Sequence, residues 1–448
     1  MDSIYDDAAR RAARYARGVT SRAVMPATGD VDRLAVLDIP LPERPTADAE
    51  VLRQLDEIGS PATVASTGGR YFGYVVGGSL PIATAAHWLA TAWDQNVPNR
   101  AASPAAATFE SVALRWIIDL LALPAESTGA FVSGSSLGNL CGLAAARHAV
   151  LSTAGWDVDA QGLFGAPPVT VVVSDEVHAS VIKALGLLGF GRERVQRVAT
   201  DEQGRMRPEC LPRFDGPAIV CAQAGNVNSG ACDPFPAICD QAHSRGAWVH
   251  VDGAFGLWAR ASTEHCGLCE GVERADSWAT DAHKWLNVPY DSGLVFVRDG
   301  RSLRAAMSLS APYLAEPDAA PSPAELTPEL SRRARGVDAW AAIASLGRSG
   351  VDELIERCCL HARRFAAGLA AAGYRVLNDV TLNQVVVSFG SDEATERVVD
   401  AIQRDGTCWC GITRWHGVAA MRISVCSWAT TDDDVECSLA AMLRCARS

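Results

Sequence analysis

The chain has 448 residues, 48% hydrophobic and 21% charged, with a formal charge of −12. That composition fits a globular protein with more than one core, and the acidic balance argues against nucleic acid or an anionic membrane as the main partner. No stretch approaches the roughly 18 consecutive apolar residues of a membrane-spanning helix, and residues 1–18 show no apolar run behind a basic stretch, so no secretory signal is visible and a cytoplasmic location is expected.

In chain order, residues 5–18 predict a helix with an acidic start. Residues 31–45 are Pro-rich and irregular, and 47–58 resume a helical period through Val51, Leu52, Leu55 and Ile58. This N-terminal segment either packs on a partner subunit or simply decorates the chain. From Ser66 onward strands and helices alternate. Apolar runs at 169–173, 217–222, 247–251, 276–280 and 293–297 predict strands, and helical periods at 139–151, 179–188 and 234–245 fill the gaps. Short buried strands between helices predict a mostly parallel α/β sheet. Residues 315–328 are rich in Pro and Ala and read as a mobile loop. Helices are expected at 336–348 and 351–371, and residues 373–448 mix strands with a closing helix, a second and smaller lobe. Fourteen cysteines in a chain this long do not suggest a disulfide framework. Cys266 and Cys269 form a lone C-x-x-C beside His265, and Cys408 and Cys410 a lone C-x-C. Zinc needs further ligands at workable spacing, so no metal site is expected and the thiols read as small apolar packing groups.

Four stretches carry chemistry. In FVSGSSLGNL (131–140) a strand end, a Gly/Ser turn and a helix start place free N–H groups and the hydroxyls of Ser135 and Ser136 where a phosphate dianion would be held. In VVVSDEVHASVIKA (171–184) His178 stands at a strand-to-helix junction, its flat ring able to stack on an aromatic ligand. In WVHVDGAF (248–255) Asp252 ends an apolar strand, where a buried carboxylate calls for a cationic partner; Ala254 is small enough to lie under a ring. In DAHKWLN (281–287) Lys284 is flanked by His283, Trp285 and Leu286, a setting that eases loss of its proton. A lysine amine that forms an imine with an aldehyde, and an acid that keeps a pyridine nitrogen protonated, are the needs of pyridoxal 5'-phosphate chemistry.

Together with RYFGYV (70–75), AASPAAATFESV (101–112), PYL (312–314) and SRRARG (331–336), these stretches resemble the group II pyridoxal phosphate-dependent amino acid decarboxylases, the family of aromatic-amino-acid and glutamate decarboxylases, over about residues 66–440. The resemblance implies an α/β protein of fold type I, in the aspartate aminotransferase superfamily. Its parts would be an N-terminal helical arm (1–66), a large domain (67–337) with a mostly parallel seven-stranded sheet between helices and a catalytic loop at about 311–330, and a small C-terminal α+β domain (338–448). It further implies that Lys284 bonds the cofactor, Asp252 pairs with the ring nitrogen, His178 stacks on one ring face and Ala254 supports the other. Ser135 and Ser136 would hold the phosphate, and His283 would contact cofactor or substrate carboxylate. Tyr313 matches the family's catalytic-loop tyrosine, a proton donor to the α-carbon, and that loop implies a homodimer with sites at the subunit interface. Tyr74 and Arg422 are candidate substrate contacts. Asn226 and Val227 stand where many relatives have a Thr pair; Asn226 is still able to bond the cofactor's 3-oxygen, whereas Val227 is not. Leu137 and Gly138 replace the usual acidic residue and Ala.

The expected activity is decarboxylation of an L-amino acid to its amine. Other reactions at the same cofactor stay open: decarboxylation-dependent oxidative deamination, transamination with Arg422 on the carboxylate, or lyase and aldolase chemistry. So does a cofactor-binding paralogue without turnover. Trp88, Trp93, Trp285, Trp409 and Trp415 suit a bulky or aromatic side chain, and Arg414 and His416 equally suit an acidic one.

Overall fold

The computed structural model describes residues 2–308 and 321–447. Backbone contacts divide the chain into two compact units. One is Ser79–Leu360 with Asn378–Gln384; the other takes the N-terminal residues up to Gly78, His361–Leu377 and the residues from Val385 on.

The first unit is built on seven strands: β1 (Thr128–Val132), β2 (Thr170–Ser174), β3 (Gln196–Val198), β4 (Ala218–Gln223), β5 (Trp248–Asp252), β6 (Ser277–Asp281) and β7 (Gly293–Val297). They lie in the order β1-β7-β6-β5-β4-β2-β3. Neighbours from β6 through to β3 are parallel, and only β7 runs against both of its neighbours. Every residue of β4, β5, β6 and β7 is buried, which is why these strands read as continuous apolar runs rather than alternating ones. The five expected strands are present, each within a residue or two of its predicted span. Strands β1 and β3 were not separately foreseen: β1 shows only as the apolar lead-in to the Gly/Ser turn, and β3 is three residues long.

The helices that matter here are α1 (Asp2–Gly18), α2 (Pro104–Leu120), α3 (Ser135–Thr153), α4 (Ala179–Leu187), α5 (Phe235–His243) and α6 (Arg335–Ala371). Helix α3 lies so close to the sheet that side chains are excluded at two positions. A Cβ on Gly138 would stand 2.7 Å from the Leu294 carbonyl oxygen, and one on Gly142 would stand 2.7 Å from His250 Cε1. Even the Ala usual in the family at position 138 would therefore meet the backbone of the sheet. Two helices were expected across 336–371; they are joined into α6, with non-helical backbone at Gly347 (φ 61°) marking the break. The motifs around Glu110 and Arg332 meet in a buried ion pair. Arg332 Nη2 lies 3.0 Å from Glu110 Oε1, with both side chains almost fully enclosed, and the guanidinium also donates to the carbonyls of Phe131 (2.7 Å) and Val97 (3.2 Å). The described end of the expected 315–328 loop is packed: Ser322 and Glu325 form a capping box, and Leu326 and Thr327 are buried.

The second unit holds a four-stranded sheet of β8 (Arg375–Val376), β9 (Gln384–Ser388), β10 (Gly411–Trp415) and β11 (Val418–Ser424), in the order β10-β11-β9-β8. Helices α7 (Asp392–Asp405) and α8 (Asp432–Cys445) belong to it. Residues 1–66, expected as a separate arm, fall in this same unit; Val24 N–H bonds the Gly406 carbonyl at 2.8 Å, which ties this segment to the end of α7.

Candidate active site

The site grows from the carboxyl ends of adjacent parallel strands, where the chain leaves β5 and β6. Asp252 is the last residue of β5 and is 5% exposed. Its Oδ1 accepts the Ala254 N–H at 3.3 Å and its Oδ2 lies 3.5 Å from the Ser180 hydroxyl. Both contacts are long. Among the described residues this buried carboxylate has no cation against it, an arrangement that calls for a positively charged partner. Ala254 follows, half-buried.

Strand β6 ends in Asp281, and a single helical turn then presents His283 and Lys284. Lys284 Nζ sits 2.9 Å from Asp281 Oδ2. The same carboxylate accepts the Ser135 backbone N–H at 2.6 Å and its hydroxyl at 2.8 Å. Burial alone would push the Asp281 carboxyl up, but Lys284, His283 and Ser135 outweigh it and hold it below the ordinary carboxylate value. Ser135 opens α3, so Asp281 occupies the positive end of that helix. His283 is buried. Its Nδ1 accepts the Ser292 N–H at 3.1 Å, which leaves the proton on Nε2, facing Asp281 Oδ1 at 3.7 Å. Burial pushes the His283 pKa down, against the pull of Asp281.

The other expected residues fall as follows. Ser136 is exposed in the first turn of α3. His178 caps α4: its Nδ1 accepts the Ser180 N–H at 3.2 Å and lies 2.7 Å from the Ser180 hydroxyl. Asn226 is buried, its carbonyl accepting from the backbone of Asn228 (2.8 Å) and Ser229 (3.2 Å), while its Nδ2 is enclosed with no hydrogen-bond partner among the described residues. Tyr74 and Arg422 belong to the other unit. There Tyr74 has φ 52° and stacks on Trp409 at 5.5 Å, and burial lowers the pKa of Arg422. Tyr313 lies outside the described residues. Cys266 and Cys269 do not gather round His265: His265 meets Glu356 at 3.2 Å, and Cys269 Sγ meets Cys232 Sγ at 3.2 Å.

Residues 32–389 match the pyridoxal-dependent decarboxylase conserved domain. The chain belongs to that family. It is similar to the aromatic-L-amino-acid decarboxylase of Bacillus atrophaeus, 30% identical over 67% of this chain and 63% of that protein. It is also similar to the L-2,4-diaminobutyrate decarboxylase of Rhizobium meliloti (strain 1021), 31% identical over 79% of this chain and 70% of that one. The chain thus spans less than two thirds of the Bacillus relative's length. Its fold is shared with the crystal structure of Oryza sativa TDC with PLP and tryptamine, at a TM-score of 0.92 and 23% identity, covering 100% of this chain and 97% of that one.

The family's cofactor is pyridoxal phosphate, and the residues present fit it. The enclosed Asn226 Nδ2 is a donor awaiting an oxygen, and the Asp252 carboxylate awaits a cation. One expectation is modified. The N–H and hydroxyl of Ser135, expected to face phosphate, are both taken by Asp281, because a helix N-terminus takes the nearest anion. Sequence reasoning missed Asp281, Ser180, Asn139 and His250. The signals were available for two of them: Asp281 is three residues before Lys284, and His250 is two before Asp252 on the same strand face. It also missed that the chain has only two lysines, Lys183 and Lys284, of which Lys183 is exposed on α4.

Proposed function

We propose that this protein decarboxylates an L-amino acid to the corresponding amine. The observation that carries the reading is the buried, under-compensated Asp252 carboxylate at the end of β5, with Lys284 supplied from the end of the adjacent strand. Bound pyridoxal phosphate supplies an electron sink for the pair left on the α-carbon when the carboxylate departs. The chain's residues do the rest. Asp252 holds the proton on the ring nitrogen, and Asn226 Nδ2 donates to the ring oxygen. His178 and Ala254 would flank the ring, Ser136 would orient the phosphate while Ser135 holds Asp281, and His283 would contact the cofactor or substrate carboxylate. Lys284 would hold the cofactor through its amine before substrate binds and again once the product amine has left. Orientation of the substrate carboxylate selects which bond breaks. Tyr74 and Arg422 are assigned to the substrate side, and Tyr313 to delivering the proton to the α-carbon.

The active unit in this reading is a cytoplasmic homodimer. Support for the dimer comes from the segment 31–55, where Val36, Ile39, Leu41 and Leu55 are exposed, Leu41 by 89%, apolar side chains that a subunit contact would cover. Support for the compartment comes from thiols packed as core residues, such as Cys141, Cys221 and Cys239. The test is carbon dioxide release across a panel of L-amino acids, with product masses. Amine formation from at least one, and a shift toward aldehyde in Tyr313→Phe, is expected. No release from any amino acid by the loaded protein overturns the reading.

A further inference from the structure

Strand alternation puts Trp248, His250 and Asp252 on one face of β5, and behind Asp252 this face carries a line of enclosed polar groups. Trp248 Nε1 lies 2.8 Å from Ser277 Oγ, and Ser277 Oγ lies 2.8 Å from His250 Nδ1. His250 Nε2 is 3.0 Å from Asn139 Oδ1, and Asn139 Nδ2 is 3.2 Å from Ser180 Oγ. Asn139, His250 and Ser277 are wholly buried, and Ser180 is 8% exposed.

The line has a direction. An indole N–H only donates, and an amide oxygen only accepts. Trp248 therefore donates to Ser277, Ser277 donates to His250 Nδ1, His250 Nε2–H donates to Asn139, and Asn139 donates to Ser180. Complete burial pushes the His250 pKa down to about 3, so the ring stays neutral and the direction holds. Ser180 is left with one hydroxyl proton and two acceptors: His178 Nδ1 at 2.7 Å and Asp252 Oδ2 at 3.5 Å. Room for the line is provided by Gly142, where any side chain would meet the His250 ring.

We propose that Ser180 is a positioning residue for His178, its one hydroxyl proton given to His178 Nδ1 and its oxygen set beside Asp252 by Asn139, His250, Ser277 and Trp248 behind it, so that the orientation of the residue stacking on the cofactor ring is fixed against the strand that carries Asp252. The inference rests on the reading of this site as the cofactor pocket. It assigns Ser180 and Asn139 an effect on cofactor binding although neither is assigned a contact with it.

The experiment uses the full-length chain loaded with pyridoxal phosphate. It measures cofactor affinity and the visible circular dichroism of the bound cofactor, which reports ring orientation, and the melting temperature of the unloaded chain. Ser180→Ala is expected to lose up to about tenfold in affinity, the effect of one buried hydrogen bond, and to change the dichroic band. Ser180→Thr restores both. Asn139→Ala moves both readings in the same direction from one bond further away, and decides the matter alone if Ser180→Ala does not fold. Wild-type affinity and dichroism in Ser180→Ala or Asn139→Ala overturn the positioning role, as does a loss that Ser180→Thr fails to restore. Absence of cofactor uptake by the unmutated chain overturns the pocket reading itself, and that result is visible before any variant is made.

Discussion

His250 is enclosed two residues before Asp252, and its pKa falls from 6.5 to about 3 because burial disfavours the imidazolium. In the unfolded chain the ring takes up its proton near pH 6.5. Its contribution to stability is therefore complete above that pH and is lost as pH falls toward 3. The slope is about 1.4 kcal/mol per pH unit for the one proton involved. Urea unfolding at pH 7 and pH 5 should show this loss in the native chain and a flatter dependence in His250→Gln; equal slopes in the two proteins would reject the assignment. The same residue marks the limit of what was legible locally. Lys284, Asp252 and His178 stand out because each ends a patterned stretch. Asp281, Asn139 and Ser180 matter through partners up to 146 residues away, and nothing in their own neighbourhoods signals the encounter.

At the scale of elements, the apolar runs of β2, β4, β5, β6 and β7 were readable because both faces of a central strand are covered. The helices Pro81–Trp93 and Pro104–Leu120 went unassigned despite proline in their first turns, since Ala-rich sequence blurs the contrast between faces. What α2 contributes becomes clear only in three dimensions, where Glu110 receives Arg332. Removing one partner of a buried pair strands the other charge, at a cost of about 3–5 kcal/mol. Arg332→Ala should therefore melt far below the native chain. Asp119→Ala removes the partner of Arg348 from a pair that is 59% and 74% exposed, and should change stability by less than about 1 kcal/mol. Thermal melts of the two variants side by side check this, and similar losses in both would contradict it.

At the scale of the molecule, the seven-stranded, mostly parallel sheet and the pyridoxal-dependent decarboxylase family were both legible, the latter from the order of many short motifs rather than from any one of them. The division into units was less so: the N-terminal segment shares a unit with the C-terminal strands through backbone bonds such as Val24 to Gly406, which sequence patterning does not encode. The proposed dimer makes a separate prediction. Sedimentation should give about twice 47.4 kDa for the native chain, and Leu41→Asp combined with Leu55→Asp should shift it toward the monomer. A native monomer, or a variant dimer unchanged in stability, would remove the 31–55 segment from the interface.

The central claim is that Lys284 bonds the cofactor, and the composition makes its test unusually clean. With Lys183 and Lys284 the only lysines in the chain, borohydride reduction of the loaded protein followed by peptide mass mapping has two side-chain amines to distinguish. The account predicts the pyridoxyl mass on the peptide carrying Lys284, and its loss in Lys284→Ala. The label on Lys183, or on neither lysine, would contradict it.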